Sequence, residues 1–342
     1  MTTTTTSEPK ASAETPRSGW RRSVVVATCG LFAWFAWQIV QVAVGANLHA
    51  VIPGRVYRCG QPTGASLDSI IAQHGIRTVV NLRGFGGPQA WYLNESRACQ
   101  KHDVNLEDVS FSAIRLPSKY ELRNLVELLE RAEAPLLIHC RHGSDRTGLA
   151  AVAALLLLTD TPCHVALRQL SLRYGHMPIG RTTQNDRFFT MYEAWLHETE
   201  HAHTSSLFRR WALEEYHGGP GEARWESVAC VNGPPRVGVP LGFEATVRNT
   251  SKEPWRISAT TLAGTHVYWR ILTEADGVLH EGRAGLQDET VGPGKTFNCT
   301  LVLPPFQQTG RYRLFVDMLE ENHGWFYQFG SEPWEEELVV RE

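Results

Sequence analysis

His139-Cys140-Arg141-His142-Gly143-Ser144-Asp145-Arg146-Thr147-Gly148 is the stretch that decides this chain. A cysteine and an arginine bracket five residues in the form H-C-x5-R-T. The apolar run Pro135-Leu136-Leu137-Ile138 leads in as a buried strand would, and the Ala/Leu-rich run from Gly148 to Leu158 leads out as a helix would. Strand, tight loop and helix N-terminus together build an anion cradle, because unpaired backbone N–H groups converge where the helix dipole adds positive potential.

Each residue of the loop can be given a task. Cys140 stands in a positive field that favours thiolate over thiol, which makes it a nucleophile. Arg146 offers a planar fork to two phosphate oxygens. Gly143 lets the backbone turn and approach a ligand closely. Ser144 belongs to the same cradle, and Thr147 places a hydroxyl near the sulfur. His139 orders the loop through its ring N–H. Arg141 and His142 raise the potential at the rim, a feature suited to crowded anionic groups, although solvated side chains explain them as well.

This loop resembles that of the cysteine-dependent protein tyrosine and dual-specificity phosphatase superfamily. The similarity extends more weakly over residues 51–198. Val56-Tyr57-Arg58-Cys59-Gly60-Gln61-Pro62 is similar to the Tyr-Arg-Ser-x-Gln-Pro opening of bacterial members, and Thr78-Val79-Val80-Asn81-Leu82-Arg83 resembles their first core strand. The resemblance implies an α/β phosphatase domain, with a central, mainly parallel sheet flanked by helices. It also implies phosphoryl transfer to Cys140 followed by hydrolysis, with no cofactor and no metal. A proton donor for the leaving oxygen is then required. Asp108 lies upstream of the cysteine, but Val109–Ser118, where the acid loop is expected, holds no carboxylate. Asp145 is the favoured alternative, because its Asp-Arg-Thr setting resembles phosphatases in which the loop aspartate is the proposed donor. Helix capping or an arginine pair is the competing role for Asp145. Gln184 and Asn185 could position water, although capping or a surface role fits them better.

Around the loop, α/β alternation continues. Ser66 to Gly75 reads as a helix opened by a serine cap. Leu122, Leu125, Val126 and Leu129 form a helical stripe. Two later helices are expected over about 162–174 and 184–197.

Residues 1–22 read as a disordered tail. Ser23 to Gly45 supplies 23 uncharged residues, mostly apolar, enough at about 1.5 Å rise per residue to span a bilayer core of about 30 Å. This is expected to be a transmembrane anchor, with a cleaved signal peptide as the rival. Lys10, Arg17, Arg21 and Arg22 before the span place residues beyond it on the exterior or periplasmic side.

Residues 199–224 are expected to be a linker, interrupted by His217-Gly218-Gly219-Pro220-Gly221. Residues 225–342 read as all-β, with strands at Leu241–Asn249, His266–Leu272, Thr296–Leu303 and Arg311–Met318. Their turn and tryptophan pattern resembles an Ig-like sandwich attached to bacterial carbohydrate-related proteins. Trp225, Trp255, Trp269, Trp325 and Trp334 could supply a platform for a sugar or protein ligand, with core packing as the commoner use. Cys59 could pair with Cys99, and Cys230 with Cys299. Thirty-three basic against 36 acidic residues, with no basic stripe, gives no footprint for nucleic acid.

The substrate implied is a phosphorylated protein or a phospholipid. The competing reading is a catalytically weak, phosphate-binding scaffold that acts through its β domain.

Overall fold

The computed structural model describes residues 46–321 and 323–342, together with positions 23, 24, 26 and 28–30. The expected anchor over residues 23–45 and the tail before it therefore lie almost wholly outside the described residues. Among those described, no helix is long and apolar enough to cross a membrane.

Five short strands form the first sheet: β1 (His49–Ile52), β2 (Val56–Cys59), β3 (Thr78–Asn81), β4 (Asn105–Asp108) and β5 (Leu136–His139). Their spatial order is β1-β2-β5-β3-β4, antiparallel only between β1 and β2. The central strand β5 is apolar on both faces, and its side chains alternate between them. Leu136 and Ile138 join one core, while Leu137 joins the other.

Helices cover both faces. On Leu137's side lie α1 (Gly64–His74) and α2 (Ala90–Lys101). The other side carries α3 (Lys119–Arg131) and α4 (Asp145–Leu158). The helix α4 is apolar around most of its circumference because it is enclosed on nearly every side. Helix α3 opens on a reciprocal capping box between Ser118 and Glu121. Thr63, rather than Ser66, caps α1, and Gly75 ends it at φ 62°.

Three expectations are corrected here. Helix α2 carries no clear apolar stripe and was not anticipated. The segment at 162–174 forms only one helical turn, α5 (Cys163–Ala166), and two 3-10 turns at Leu167–Gln169 and Leu172–Tyr174. The segment 199–224 is not a plain linker. After α6 (Thr183–Glu198) comes α7 (Ser205–Arg210), continued by a π-helical turn at Trp211–Glu215. Phe208, Trp211 and Tyr216 pack with Phe188 and Tyr192 in the first core, so aromatic burial draws this segment in.

Ten strands follow, β6 (Ala223–Cys230) to β15 (Trp334–Val340). One sheet of three strands, in the order β12 (Thr296–Leu303), β7 (Leu241–Asn249) and β6, faces a sheet of seven centred on β9 (Thr265–Thr273) and β13 (Gly310–Glu320). Phe243, Phe297 and Leu301 from the smaller sheet share a core with Val267, Leu314 and Val316 from the larger. All seven cysteines are free thiols, so neither Cys59–Cys99 nor Cys230–Cys299 is bridged.

Candidate active site

The carboxyl ends of β2, β3, β4 and β5 converge on one edge. Register places Cys59 and Asn81 opposite His139, and Asp108 opposite Asn81. Ligand sites of open parallel sheets form at this edge, and here it carries the loop from Cys140 to Arg146.

The loop is held from behind by its carbonyl groups. Arg141 O accepts from the Gln61 amide at 3.2 Å, and His142 O from Asn47 Nδ2 at 3.3 Å. Gly143 O accepts from Arg58 Nη2 at 2.6 Å and Asn47 Nδ2 at 3.2 Å. Ser144 O accepts from Arg58 Nη2 at 3.3 Å and the Gly148 amide at 2.8 Å. Residues 141–146, by contrast, donate no backbone hydrogen bond to any described residue. Carbonyls tied outward and free N–H groups at the start of a 14-residue helix are what an anion nest requires.

Gly143 is needed twice over. Its φ is +73°, and an added Cβ would stand 2.6 Å from Gly60 N and 2.7 Å from Cys59 O. Arg58 is fully buried, with Nη1 also on Gln169 O at 2.7 Å and the guanidinium 4.2 Å from the Tyr174 ring centroid. Burial lowers its pKa to about 10, which still leaves a cation behind the loop at neutral pH. Asn47 and Arg58 lie far from the motif in sequence; Arg58 falls in the family-like stretch 56–62, whereas nothing in the sequence pointed to Asn47.

Cys140 is buried at the floor of the site. His139, at 0% exposure, donates from Nε2 to Glu95 Oε1 at 2.5 Å. Glu95 Oε2 in turn accepts from Gln61 Nε2 at 2.9 Å. Glu95 comes from the unanticipated helix α2. Arg146 points Nη1 at Leu82 O and Phe111 O, at 3.3 and 3.4 Å, which orients the guanidinium by the strand β3 exit and the 109–118 loop. Ser144 is buried at the N-cap position without a side-chain cap, and the buried Thr147 hydroxyl has no partner among the described residues. Arg141 and His142 are exposed at the rim.

The two candidate acids are placed differently. Asp108 accepts from Asn81 Nδ2 at 2.7 Å and from the Tyr92 hydroxyl at 2.5 Å, at the exposed end of β4. Asp145 opens α4 and meets His176 Nδ1 at 2.7 Å, not an arginine. His176 is 1% exposed, and its Nε2 meets Asp186 Oδ2 at 3.0 Å. Burial alone would lower the His176 pKa, but its bonds to Asp145 and Asp186 overcome this and raise it, which favours an imidazolium between two carboxylates. Neither His176 nor Asp186 stood out in the sequence. Asn185 is buried with Nδ2 on Ala113 O at 3.3 Å, so it braces the 109–118 loop instead of lying on the surface.

The 205–222 segment and the β domain both flank the same loop. Tyr216 donates its hydroxyl to Pro117 O at 2.6 Å, and Arg115 forms a two-pronged ion pair with Glu121 beside the Phe329 ring. Lys119 pairs with Glu222, and Arg187 with Glu253. The five tryptophans do not gather into one platform. Trp255 and Trp269 are core residues, Trp225 and Trp334 pack against that core, and Trp325 alone clusters with Tyr268, Phe315 and Tyr327. Among the described residues, no group of His, Cys, Asp and Glu could hold a metal ion.

Residues 35–175 match the family described as a DSP-PTPase phosphatase fused to NAD+ kinase. A solved structure of P. aeruginosa TpbA in complex with pTyr is 22% identical, with a TM-score of 0.35 over 42% of this chain and 83% of its own. Tk-PTP in its active form is 20% identical, with a TM-score of 0.35 over 43% and 97%. The C-terminal domain of wzt is 15% identical, with a TM-score of 0.28 over 37% and 78%. No curated protein matches the chain.

Proposed function

We propose that the region matched at 35–175 is a cysteine-dependent phosphatase of the tyrosine/dual-specificity superfamily, hydrolysing phosphate monoesters through a cysteinyl-phosphate intermediate. The observation that carries this reading is the run of unbonded backbone N–H groups at residues 141–146, directly after Cys140, with the Arg146 guanidinium held by Leu82 O and Phe111 O. A phosphate dianion seated there has its oxygens met by N–H groups and by the Arg146 fork. Both tighten as charge builds on the equatorial oxygens in the transition state.

In the first step, the Cys140 sulfur forms a bond to phosphorus as the bond to the leaving oxygen breaks. Asp145 relays the proton of His176 Nδ1 to that oxygen, leaving a neutral imidazole that still donates from Nε2 to Asp186. In the second step, water attacks phosphorus and the S–P bond breaks. Inorganic phosphate departs, the thiolate is restored, and the proton from water returns to the Asp145–His176 pair. The hydrogen-bonded line Asp145–His176–Asp186 supports this assignment.

The substrate is a phosphorylated protein or a phospholipid head group. The 23 uncharged residues from Ser23 support an anchor that holds the enzyme at a membrane, with residues from 46 onward on the exterior side. The β domain, read as an Ig-like sandwich, steadies the 109–118 loop.

The test is phosphate release by the full chain in detergent micelles under reducing conditions, with phosphotyrosine peptides and phosphoinositides as substrates. Cys140→Ser should abolish turnover, and Asp145→Asn should slow it more than Asp108→Asn. Undiminished turnover by Cys140→Ser would overturn the cysteinyl intermediate, and the reverse ranking of the aspartates would overturn the acid.

A further inference from the structure

We propose that Arg83 and Arg141 form a second anion subsite beside the Cys140 loop, which selects a phosphomonoester carrying a second phosphate group. The proposal rests on the phosphatase reading above and specifies its substrate class.

The placement of Arg83 follows from the sheet. Leu82, the preceding residue, donates its amide to His139 O at 2.9 Å and accepts Arg146 Nη1 at its carbonyl. Arg83 is thus one residue from the contact that orients Arg146. Its side chain is fixed rather than free. Nη1 donates to Gln61 Oε1 at 2.8 Å, and the guanidinium lies 3.4 Å from the Trp91 ring centroid, a close cation–π stack. Gln61 is also the residue whose amide holds Arg141 O. One glutamine therefore ties Arg83 to the Arg141 side of the loop.

The charges there have no direct carboxylate partner, Glu95 acting on Arg83 only through space. Elsewhere, arginines such as Arg115, Arg187, Arg209, Arg248 and Arg283 pair with glutamates. Among the described residues, no carboxylate forms an ion pair with Arg83, Arg141 or Arg146. Glu95, the acid nearest in this network, has both oxygens committed to His139 and Gln61. Burial, then Arg146 and Arg141, push the Arg83 guanidinium below the ordinary arginine range. Mutual repulsion of this kind is relieved when an anion enters. One phosphate is already served by the nest and Arg146. Arg83, with donors beyond the one used by Gln61, and the exposed Arg141 remain for a second.

A binding experiment tests this apart from turnover. The full chain carrying Cys140→Ser is titrated with inorganic phosphate and with pyrophosphate at constant pH and ionic strength. Adding Arg83→Gln should reduce the preference for pyrophosphate over phosphate about tenfold, the size expected when a charge-assisted hydrogen bond is lost. Arg141→Gln, at an exposed position where folding is not at stake, should reduce it in the same direction. A preference unchanged in both variants would overturn the subsite. Loss of phosphate and pyrophosphate binding in equal proportion would do the same, because it would mark Arg83 as support for the nest alone.

Initial rates of the wild-type chain on soluble inositol bisphosphates and on dioctanoyl phosphatidylinositol bisphosphates then distinguish the source. Equal preference would point to a soluble polyphosphate, and cleavage of the lipid alone would point to a head group. If the wild type cleaves no monoester while its pyrophosphate preference still depends on Arg83, the phosphatase reading fails and the subsite stands.

Discussion

Replacing Gly143 with alanine would separate the shape of the loop from its charge. Two costs are read from the structure. The backbone sits at φ +73°, where an L-residue with a Cβ loses about 1–2 kcal/mol. The new methyl would also meet backbone atoms of Cys59 and Gly60 at 2.6–2.7 Å, which cannot swing aside as a side chain could. Cys59 belongs to β2, which is paired along its length with β5. Relief therefore has to come from the loop, at about 1–3 kcal/mol for an overpacked site. The sum is about 2–5 kcal/mol, a large share of a typical domain's 5–15 kcal/mol.

Gly54→Ala is the matched control. Gly54 has φ +72° but nothing within 4 Å of its added Cβ, so it should show the conformational cost alone. Urea unfolding of both variants, with the slope held in common, gives the difference directly. Phosphate binding should weaken at least tenfold in Gly143→Ala and stay unchanged in Gly54→Ala. Equal destabilisation of the two variants, with phosphate binding intact in both, would refute the close approach of Gly143 to the β2 exit as the reason for the glycine.

Other perturbations follow the same logic. Glu95→Ala should destabilise the domain by about 3–5 kcal/mol, because it leaves the buried His139 ring and the Gln61 amide without their acceptor; Glu95→Gln should recover part of this in the same unfolding assay. His176 has its pKa raised above 6.5, so its contribution to stability is full below pH 6.5 and is lost as pH rises through the raised value. The stability gap between wild type and His176→Gln should therefore shrink on going from about pH 6 to about pH 9, and a gap that widens would contradict the imidazolium. In the β domain, burial pushes the Asp317 carboxyl up to about 7 from 3.8, so ionising it costs stability as pH rises between those values. Asp317→Asn should gain on the wild type from about pH 4 to about pH 8, with a ceiling of about 4 kcal/mol, measurable by urea unfolding across that range.

The decapeptide 139–148, with its apolar lead-in and helical lead-out, is enough to read an α/β domain and to single out Cys140 and Arg146 on the loop at its sheet edge. Those features are local: a buried strand, a glycine turn and an Ala/Leu helix are written in consecutive residues, and four of the β-domain strands were legible for the same reason. The sequence by itself could not say what holds the loop open. Arg58 and Asn47 reach its carbonyls across 85 to 96 positions of chain, and Glu95 reaches His139 across 44. Asp145 was legible as a carboxylate next to Arg146, but its partner His176 lies 31 residues on, in a stretch of short 3-10 turns with no periodic signal. The segment 205–216 reads as part of a linker because polar residues and the adjoining His217-Gly218-Gly219-Pro220-Gly221 interrupt the pattern, yet Phe208, Trp211 and Tyr216 close the core around α6. Sequence pattern reports which groups a segment must bury, whereas a charge pair or a carbonyl tether depends on which distant segment is brought beside it. That neighbour is chosen by the packing of the whole sheet, and so only the tertiary structure decides it.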